Sequence, residues 1–452
     1  MLLSSWTAPA RAQAPSGSAL ANDYVVVEPR AGYRAVAPDL LFLNRCPAGC
    51  LITRGDTSHA PSDVSSVIGN TGTLSPFAFD QARWDAVVAC VTDTFAAYGV
   101  TVVTTEPEGQ PYNEVFVAGE PEEVGVLSSA LGIAPLNNNC TAQADSVSFA
   151  FANGHQGGNA IEICATVAHE AGHLYGLDHA FECRDPMTYL IGCGDKRFIN
   201  WSSPCGEFDN PRECLCDAEQ NSHQHLAREL GLGAPVPPPV VEIVYPQQGA
   251  SVPAGTTVFA SFDAPRMAIR AELWINGRRW AEVPLGPEDD LAMISMPAAV
   301  PDGVLNIDLR IVGDVGNIGS ASVTVSKGAP CASSDACGTG FVCDAGACNA
   351  VIGTSAVGDA CNSDTDCADQ RCLDFMGEKT CSRDCLVGLA EQCPATYECV
   401  QASDRETEGL CFDLDAVTEP AGCCSGAPVS GAWPALALLG LGFGRRRRRP
   451  TR

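Results

Sequence analysis

One eleven-residue stretch constrains this chain more than any other. His169 to His179 reads His-Glu-Ala-Gly-His-Leu-Tyr-Gly-Leu-Asp-His. Residues four apart on an α-helix share a face, so a helix here turns His169 and His173 toward one ion. Neutral imidazole nitrogen suits Zn²⁺, and three protein ligands leave a fourth position for water. Glu170 lies between the first two histidines. A carboxylate there can take the proton of that water and later give it to a leaving amine. Gly176 permits the turn that ends the helix and swings His179 back as a third ligand. Five fixed positions coincide in a chain with only 7 histidines, which makes accident a poor account of the pattern.

The stretch resembles the zinc signature of the metzincin metallopeptidases, in which the histidines are followed by a methionine-bearing turn. Asp185-Pro186-Met187-Thr188-Tyr189 supplies that turn. The resemblance implies that Met187 forms a hydrophobic floor under the metal. It implies that Tyr189 acts as an extra ligand or as a donor to the transition state. It further implies an α+β metzincin catalytic domain over 23–232, zinc as cofactor, a protein or peptide as substrate, and an edge strand beside the cleft on which an extended peptide lies.

Cysteine usage sets the compartment. The chain has 24 cysteines in 452 residues and no Cys-x-x-Cys pair. Such a set works as disulfide staples in an oxidising exterior. The length calls for two to four domains. The formal net charge of −27 argues against nucleic acid or an anionic membrane as partner, and it suits weak Ca²⁺ association.

The first residues, 1–14, end in Ala12-Gln13-Ala14, which fits a signal-peptidase site at the end of a signal peptide; a disordered terminus is the other reading. Asp23 to Glu28 reads as a strand. Cys46 and Cys50 read as a disulfide; Asn44-Arg45-Cys46-Pro47 shares only a faint likeness with an inhibitory cysteine segment. Ser75-Pro76 opens a helix with a stripe of Phe79, Trp84, Val87, Val88, Val91 and Phe95, stopped by Gly99. Val100 to Thr104, Glu114 to Ala118 and Ser146 to Ala152 read as strands, the last as the strand beside the cleft. The signature helix runs from about Asn159 to Tyr175, with Cys164, Val167, Ala168, Ala171 and Leu174 toward the core. Asp217 to Leu230 closes the domain. His223 and His225 lie there, as surface histidines or as a second metal site. His59 and His155 have no partner identifiable in the sequence.

A proline linker, 233–239, leads to 240–327, whose short alternating strands and Asn276-Gly277 turn resemble an immunoglobulin-like β-sandwich. Residues 331–411 hold 12 cysteines and read as two small disulfide-rich modules. The end, 422–452, combines Gly422, Cys423 and Cys424 with a short apolar stretch, Trp433 to Phe443, and five arginines. This resembles the myxobacterial type of C-terminal sorting tag. That resemblance implies export through a signal peptide, processing near Cys423 by membrane sorting machinery, and display at the outer surface of a Gram-negative cell. A retained membrane helix is the other reading of the stretch. Two functions stay open: a secreted zinc endopeptidase, and a surface adhesion protein that binds without cutting.

Overall fold

Residues 24–28, 37–190, 193, 196–208, 210–286, 289–375, 378–387, 392–401 and 408–413 are described by the computed structural model of the chain. The expected signal segment 1–14 and the expected C-terminal tag, with Gly422, Cys423 and Cys424, lie outside these residues.

The first half runs β1 (Tyr24–Val27), β2 (Leu40–Asn44), β3 (Cys50–Arg54), β4 (Val64–Ser65), β5 (Gly72–Leu74), α1 (Gln81–Phe95), β6 (Thr101–Val103), β7 (Asn113–Val117), β8 (Gly132–Asn137), β9 (Val147–Ala150), α2 (Ala160–Leu174), β10 (Cys205–Glu207), β11 (Asn210–Arg212) and α3 (Ser222–Leu230). Each α-helix starts on a side chain that accepts a backbone N–H. Asp80 accepts from Arg83, Asn159 from Ile161 and Asn221 from Gln224. Ser75-Pro76 therefore precede α1 rather than opening it.

Six strands form the main sheet in the order β1-β8-β9-β7-β2-β6. β8 is antiparallel to β9, β1 pairs parallel with the outer edge of β8, and the other neighbours are parallel. The alternation of strand side chains sorts the core to two faces. Leu41, Leu43, Val115 and Val117 meet Trp84, Val87 and Val91 of α1 and Ile163 and Val167 of α2. Phe42, Phe116 and Phe149 face the opposite way, onto Ile52 of β3 and Leu74 of β5. A disulfide between Cys90 and Cys164 ties α1 to α2. Ser146 to Ala152, expected beside the cleft, contains β9 and lies inside the sheet. The strand outside it is β8.

The next segment forms two sheets. β12 (Val240–Tyr245), β13 (Thr257–Asp263) and β16 (Leu291–Ser295) make one; β14 (Ala268–Ile275), β15 (Arg278–Pro284), β17 (Gly303–Gly313) and β18 (Ile318–Lys327) make the other. Val258, Ala260 and Ile294 of the first share a core with Leu273, Leu309 and Val323 of the second. Asn276 and Gly277, both at positive φ, make the two-residue turn between β14 and β15.

The α+β metzincin class expected from the signature is overturned. Among the described residues there are twenty-five strands and three α-helices, and much of the second half is small disulfide-bonded sheets, so the chain is mainly β. The physical reason is scale. An eleven-residue signature dictates one helix and one turn. The β-branched alternation and the cysteine clusters dictate the rest.

All cysteines of the described residues, 22 of the 24, form eleven disulfides. Cys46 pairs with Cys50. Where two disulfide-rich modules were expected, three four-cysteine units repeat one connectivity, first to third and second to fourth. They pair Cys331–Cys343 with Cys337–Cys348, Cys361–Cys372 with Cys367–Cys381, and Cys385–Cys399 with Cys393–Cys411. Staples in this number belong to a secreted or extracellular protein. No helix among the described residues is long and apolar enough to cross a membrane.

The sandwich is docked on the first half rather than held off by its proline linker. Ile199 packs with Met267, Ile269 and Val312. Arg266 pairs with Asp314 at 2.8 Å, both buried, and also donates to the Phe198 carbonyl. Asn200 donates through its backbone and its amide to Asp314, at 2.8 Å each. Removing one partner of such a pair strands a buried charge. Arg266→Ala is expected to cost about 3–5 kcal/mol in a urea titration, and Arg266→Met with Asp314→Leu to recover only part of that, since the second change also takes the acceptor from the buried Asn200 N–H. A loss below about 1 kcal/mol for the single change would show that the pair is not the anchor.

Candidate metal centre

α2 carries the first two histidines on the face turned away from its core stripe. His169 and His173 are buried, as is His179, which returns on the turn after the helix. Gly176 makes that turn at φ +93°, and a Cβ there would meet the Cys140 carbonyl oxygen at 2.2 Å. One ligating atom from each of the three histidines lies within 4.8 Å of the others.

What aims these rings is their other nitrogen. His169 Nδ1–H donates to the Pro186 carbonyl at 2.8 Å, and His173 Nδ1–H to the Leu177 carbonyl at 2.7 Å. His179 Nδ1–H donates to Glu207 Oε1 at 2.7 Å. Carbonyl and carboxylate oxygens only accept, so the proton of each neutral ring sits on Nδ1 and the lone pair on Nε2. Three neutral imidazoles that present Nε2 within one small volume, each oriented from behind, form a donor set that fits zinc.

The other expected residues are brought to the same place. Met187 is fully buried, and its sulfur occupies the space a side chain on Gly172 would take, beneath the helix turn that carries His173. Its amide donates to Asp185 Oδ1 at 2.9 Å. Burial pushes the Asp185 carboxyl up to about 7. The Tyr189 ring lies 4.7 Å from the His179 ring and 5.8 Å from that of His169. Glu170 is fully buried and lines a cavity of about 190 Å³ with Leu131, Gly132, Thr166, His169 and Tyr189. Lys196 braces the far wall, donating to the carbonyls of Thr188 at 3.3 Å and Leu190 at 3.1 Å.

Sequence reasoning missed the residues behind His179. Arg212 grips Asp178 with two hydrogen bonds of 2.7 Å and reaches Glu207 at 2.6 Å. Tyr24 donates to Asp178 at 3.0 Å. Burial disfavours charge on Asp178, but Arg212 and the backbone amides of His179 and Leu215 outweigh it and hold the carboxyl down at about 2. Hydrogen bonding from His179, helped by Arg212, holds Glu207 at about 2. Both stay ionised, and their charge is shared with one guanidinium. Asp178 stands just before His179 in the sequence, which is the one local signal for it.

His223 is buried and His225 half-buried, and each ring is engaged by a neighbouring group. His223 Nδ1 shares a hydrogen bond of 3.0 Å with the buried Tyr98 hydroxyl, and His225 Nε2 donates to the Tyr175 carbonyl at 2.8 Å. Two partners also went unseen: Ser62 for His59 at 2.7 Å, and Thr166 for His155 at 3.2 Å.

No family model and no curated protein matches the chain. Solved structures give slight likenesses. A fibronectin(III)-like module structure of CbhA from Clostridium thermocellum aligns at 19% identity and TM-score 0.16, over 20% of this chain and 94% of that one. A lytic polysaccharide monooxygenase from Jonesia denitrificans aligns at 12% identity and TM-score 0.16, over 28% and 76%. Another from Streptomyces lividans aligns at 19% identity and TM-score 0.15, over 18% and 59%. Likenesses of this size carry no argument about the site.

Two expectations follow. A group that fixes the tautomer of a ligand histidine is worth about 10–100-fold in metal affinity, so Glu207→Ala should weaken zinc retention by that factor in a chelator titration. Unchanged retention would remove Glu207 from the site. Burial, with Arg266 adding to it, lowers His223 to about 4. As pH falls from about 6.5, the unfolded chain takes up this proton first, so His223 progressively destabilises the fold until about pH 4. His223→Gln should therefore lose less stability than the wild type between pH 7 and pH 4, by on the order of 3 kcal/mol in denaturant titrations. Equal losses would contradict the assignment.

Proposed function

We propose that this chain is a secreted zinc-dependent endopeptidase. The observation that supports it most is the joint geometry of α2. Three histidines with fixed tautomers converge on one point, and a buried carboxylate from the same helix stands beside them on the wall of an open cavity. His169, His173 and His179 would hold the zinc. Bound there, zinc would polarise a scissile carbonyl and acidify a water molecule.

The chain's own groups do the rest. Glu170 takes a proton from water as the oxygen–carbon bond forms, then delivers it to the nitrogen as the carbon–nitrogen bond breaks. The Tyr189 hydroxyl, at the rim of the cluster, donates to the carbonyl oxygen as charge develops on it. Met187 fills the floor with an apolar sulfur, which excludes water from behind the rings. The cavity between Leu131 and the Thr188–Leu190 wall receives a substrate side chain. Export through a signal peptide and surface display through Gly422, Cys423 and Cys424 belong to the same reading, as does weak Ca²⁺ association of the acidic body.

Glu170→Gln should keep one zinc per chain and lose cleavage of a denatured protein substrate by about 10²–10⁴-fold. His173→Ala should lose the zinc. A wild type that folds without taking up zinc would sink the proposal. Zinc uptake with no loss of biological activity in Glu170→Gln would favour the adhesion reading.

A further inference from the structure

The outer edge of β8 is where an extended peptide would reach Glu170, because Gly132, at the start of β8, lines the cavity with that carboxylate. An open edge of this kind adds a strand readily. Here the edge is taken by the chain itself. β1 pairs along it in parallel register, Tyr24 with Ala134, Val25 with Pro135, Val26 with Leu136 and Val27 with Asn137.

Tyr24 then covers the histidines. Its ring lies 4.9 Å from that of His173 and 4.8 Å from that of His179. Its hydroxyl donates to Asp178 at 3.0 Å and accepts from Arg212 at 3.2 Å. The rest of the strand contributes little to any core: Val25 is 39% and Val26 47% exposed. The segment is therefore held by its ladder to β8 and by one aromatic anchor on the candidate metal centre. A parallel ladder is slightly weaker per residue than an antiparallel one, so an incoming antiparallel peptide competes for the same edge.

We propose that Tyr24–Val27 is an autoinhibitory strap, which fills the peptide-binding edge of β8 and covers His173 and His179, so that the chain is latent until this segment leaves. The latency rests on the peptidase reading; the covering of the edge does not.

The test uses the full chain, as wild type, Tyr24→Ala and Val27→Pro, each loaded with zinc; Val27 is the residue whose backbone faces β8, its carbonyl accepting from Asn138 N–H at 2.9 Å. Amide hydrogen exchange at Ala134, Leu136 and Asn138 reads the edge, and cleavage of a denatured protein reads the activity. Both variants should exchange faster at these amides and cleave about tenfold faster than the wild type, as expected when an occluded state holds about nine-tenths of the population. A synthetic peptide of residues 20–28 should slow the variants again. Unchanged exchange in both variants overturns the strap. Faster exchange with a wild type that already cleaves as fast as the variants overturns the latency and leaves the peptidase reading standing. Faster exchange, bound zinc and no cleavage by any form supports the covering and overturns the peptidase reading instead.

Discussion

Three hydrogen bonds behind the histidine rings set the demands on the surrounding chain. Each ring is aimed by an acceptor from a different segment: the Pro186 carbonyl, the Leu177 carbonyl and the Glu207 carboxylate. A helix can place His169 and His173, but it cannot hold these acceptors. Leu177 and Pro186 lie on loops and Glu207 at the end of the short strand β10, where holding a position costs conformational entropy. The loops are stapled accordingly. Cys183–Cys193 closes the segment that carries Pro186, Met187 and Tyr189, and Cys205–Cys214 closes the hairpin of β10 and β11 that carries Glu207 and Arg212. Disulfides next to the cluster thus lower the chain entropy that fixing these segments would otherwise cost.

Charge placement follows from the same demand. Glu207 and Asp178 are two carboxylates near one imidazole, and without a cation between them they would repel. Arg212, reaching from β11, is that cation. Its fork spans both groups in a way a lysine point charge would not. The ionised Glu207 then draws the proton to Nδ1 of His179 and leaves Nε2 as the lone-pair nitrogen. Tyr24 enters this network from the start of the chain, so the segment that covers the histidines hangs on the same guanidinium that orients one of them.

The legible part of this protein is the part with short-range periodicity. The signature helix could be read because His169, His173 and the stripe of Cys164, Val167 and Ala171 repeat at helical spacing. The strands of 240–327 could be read because they alternate, and the Asn276-Gly277 turn because of its composition. β8 could not. Gly132–Asn137 is buried along its whole length, has no polar face to alternate with, and contains Pro135. The alternation of Ser146–Ala152 therefore points to β9 as the strand beside the cleft, whereas β8 lies outside it in the sheet. Tyr24, Glu207 and Arg212 lie far from the signature in sequence, and no local pattern ties them to it. The fold class departs from the expectation for a related reason: the signature specifies one helix and one turn, and the remaining length of the chain is written in strands and cysteine pairs.

The docking of the sandwich bears on the site through the segment that follows Tyr189. Lys196 braces the carbonyls of Thr188 and Leu190, and Phe198, Ile199 and Asn200 come next in the chain. Those three residues are the ones the sandwich holds: Phe198 through Arg266, Ile199 through Met267 and Ile269, Asn200 through Asp314. Lys196 stands two residues before Phe198, so the brace on Thr188 and Leu190 and the contact with the sandwich belong to one short stretch, 196–200. The wall of the cavity at Thr188–Leu190 is therefore positioned from outside the first half of the chain. The sandwich is part of the support of the cavity, and the proline linker before it spans a packed interface rather than a gap.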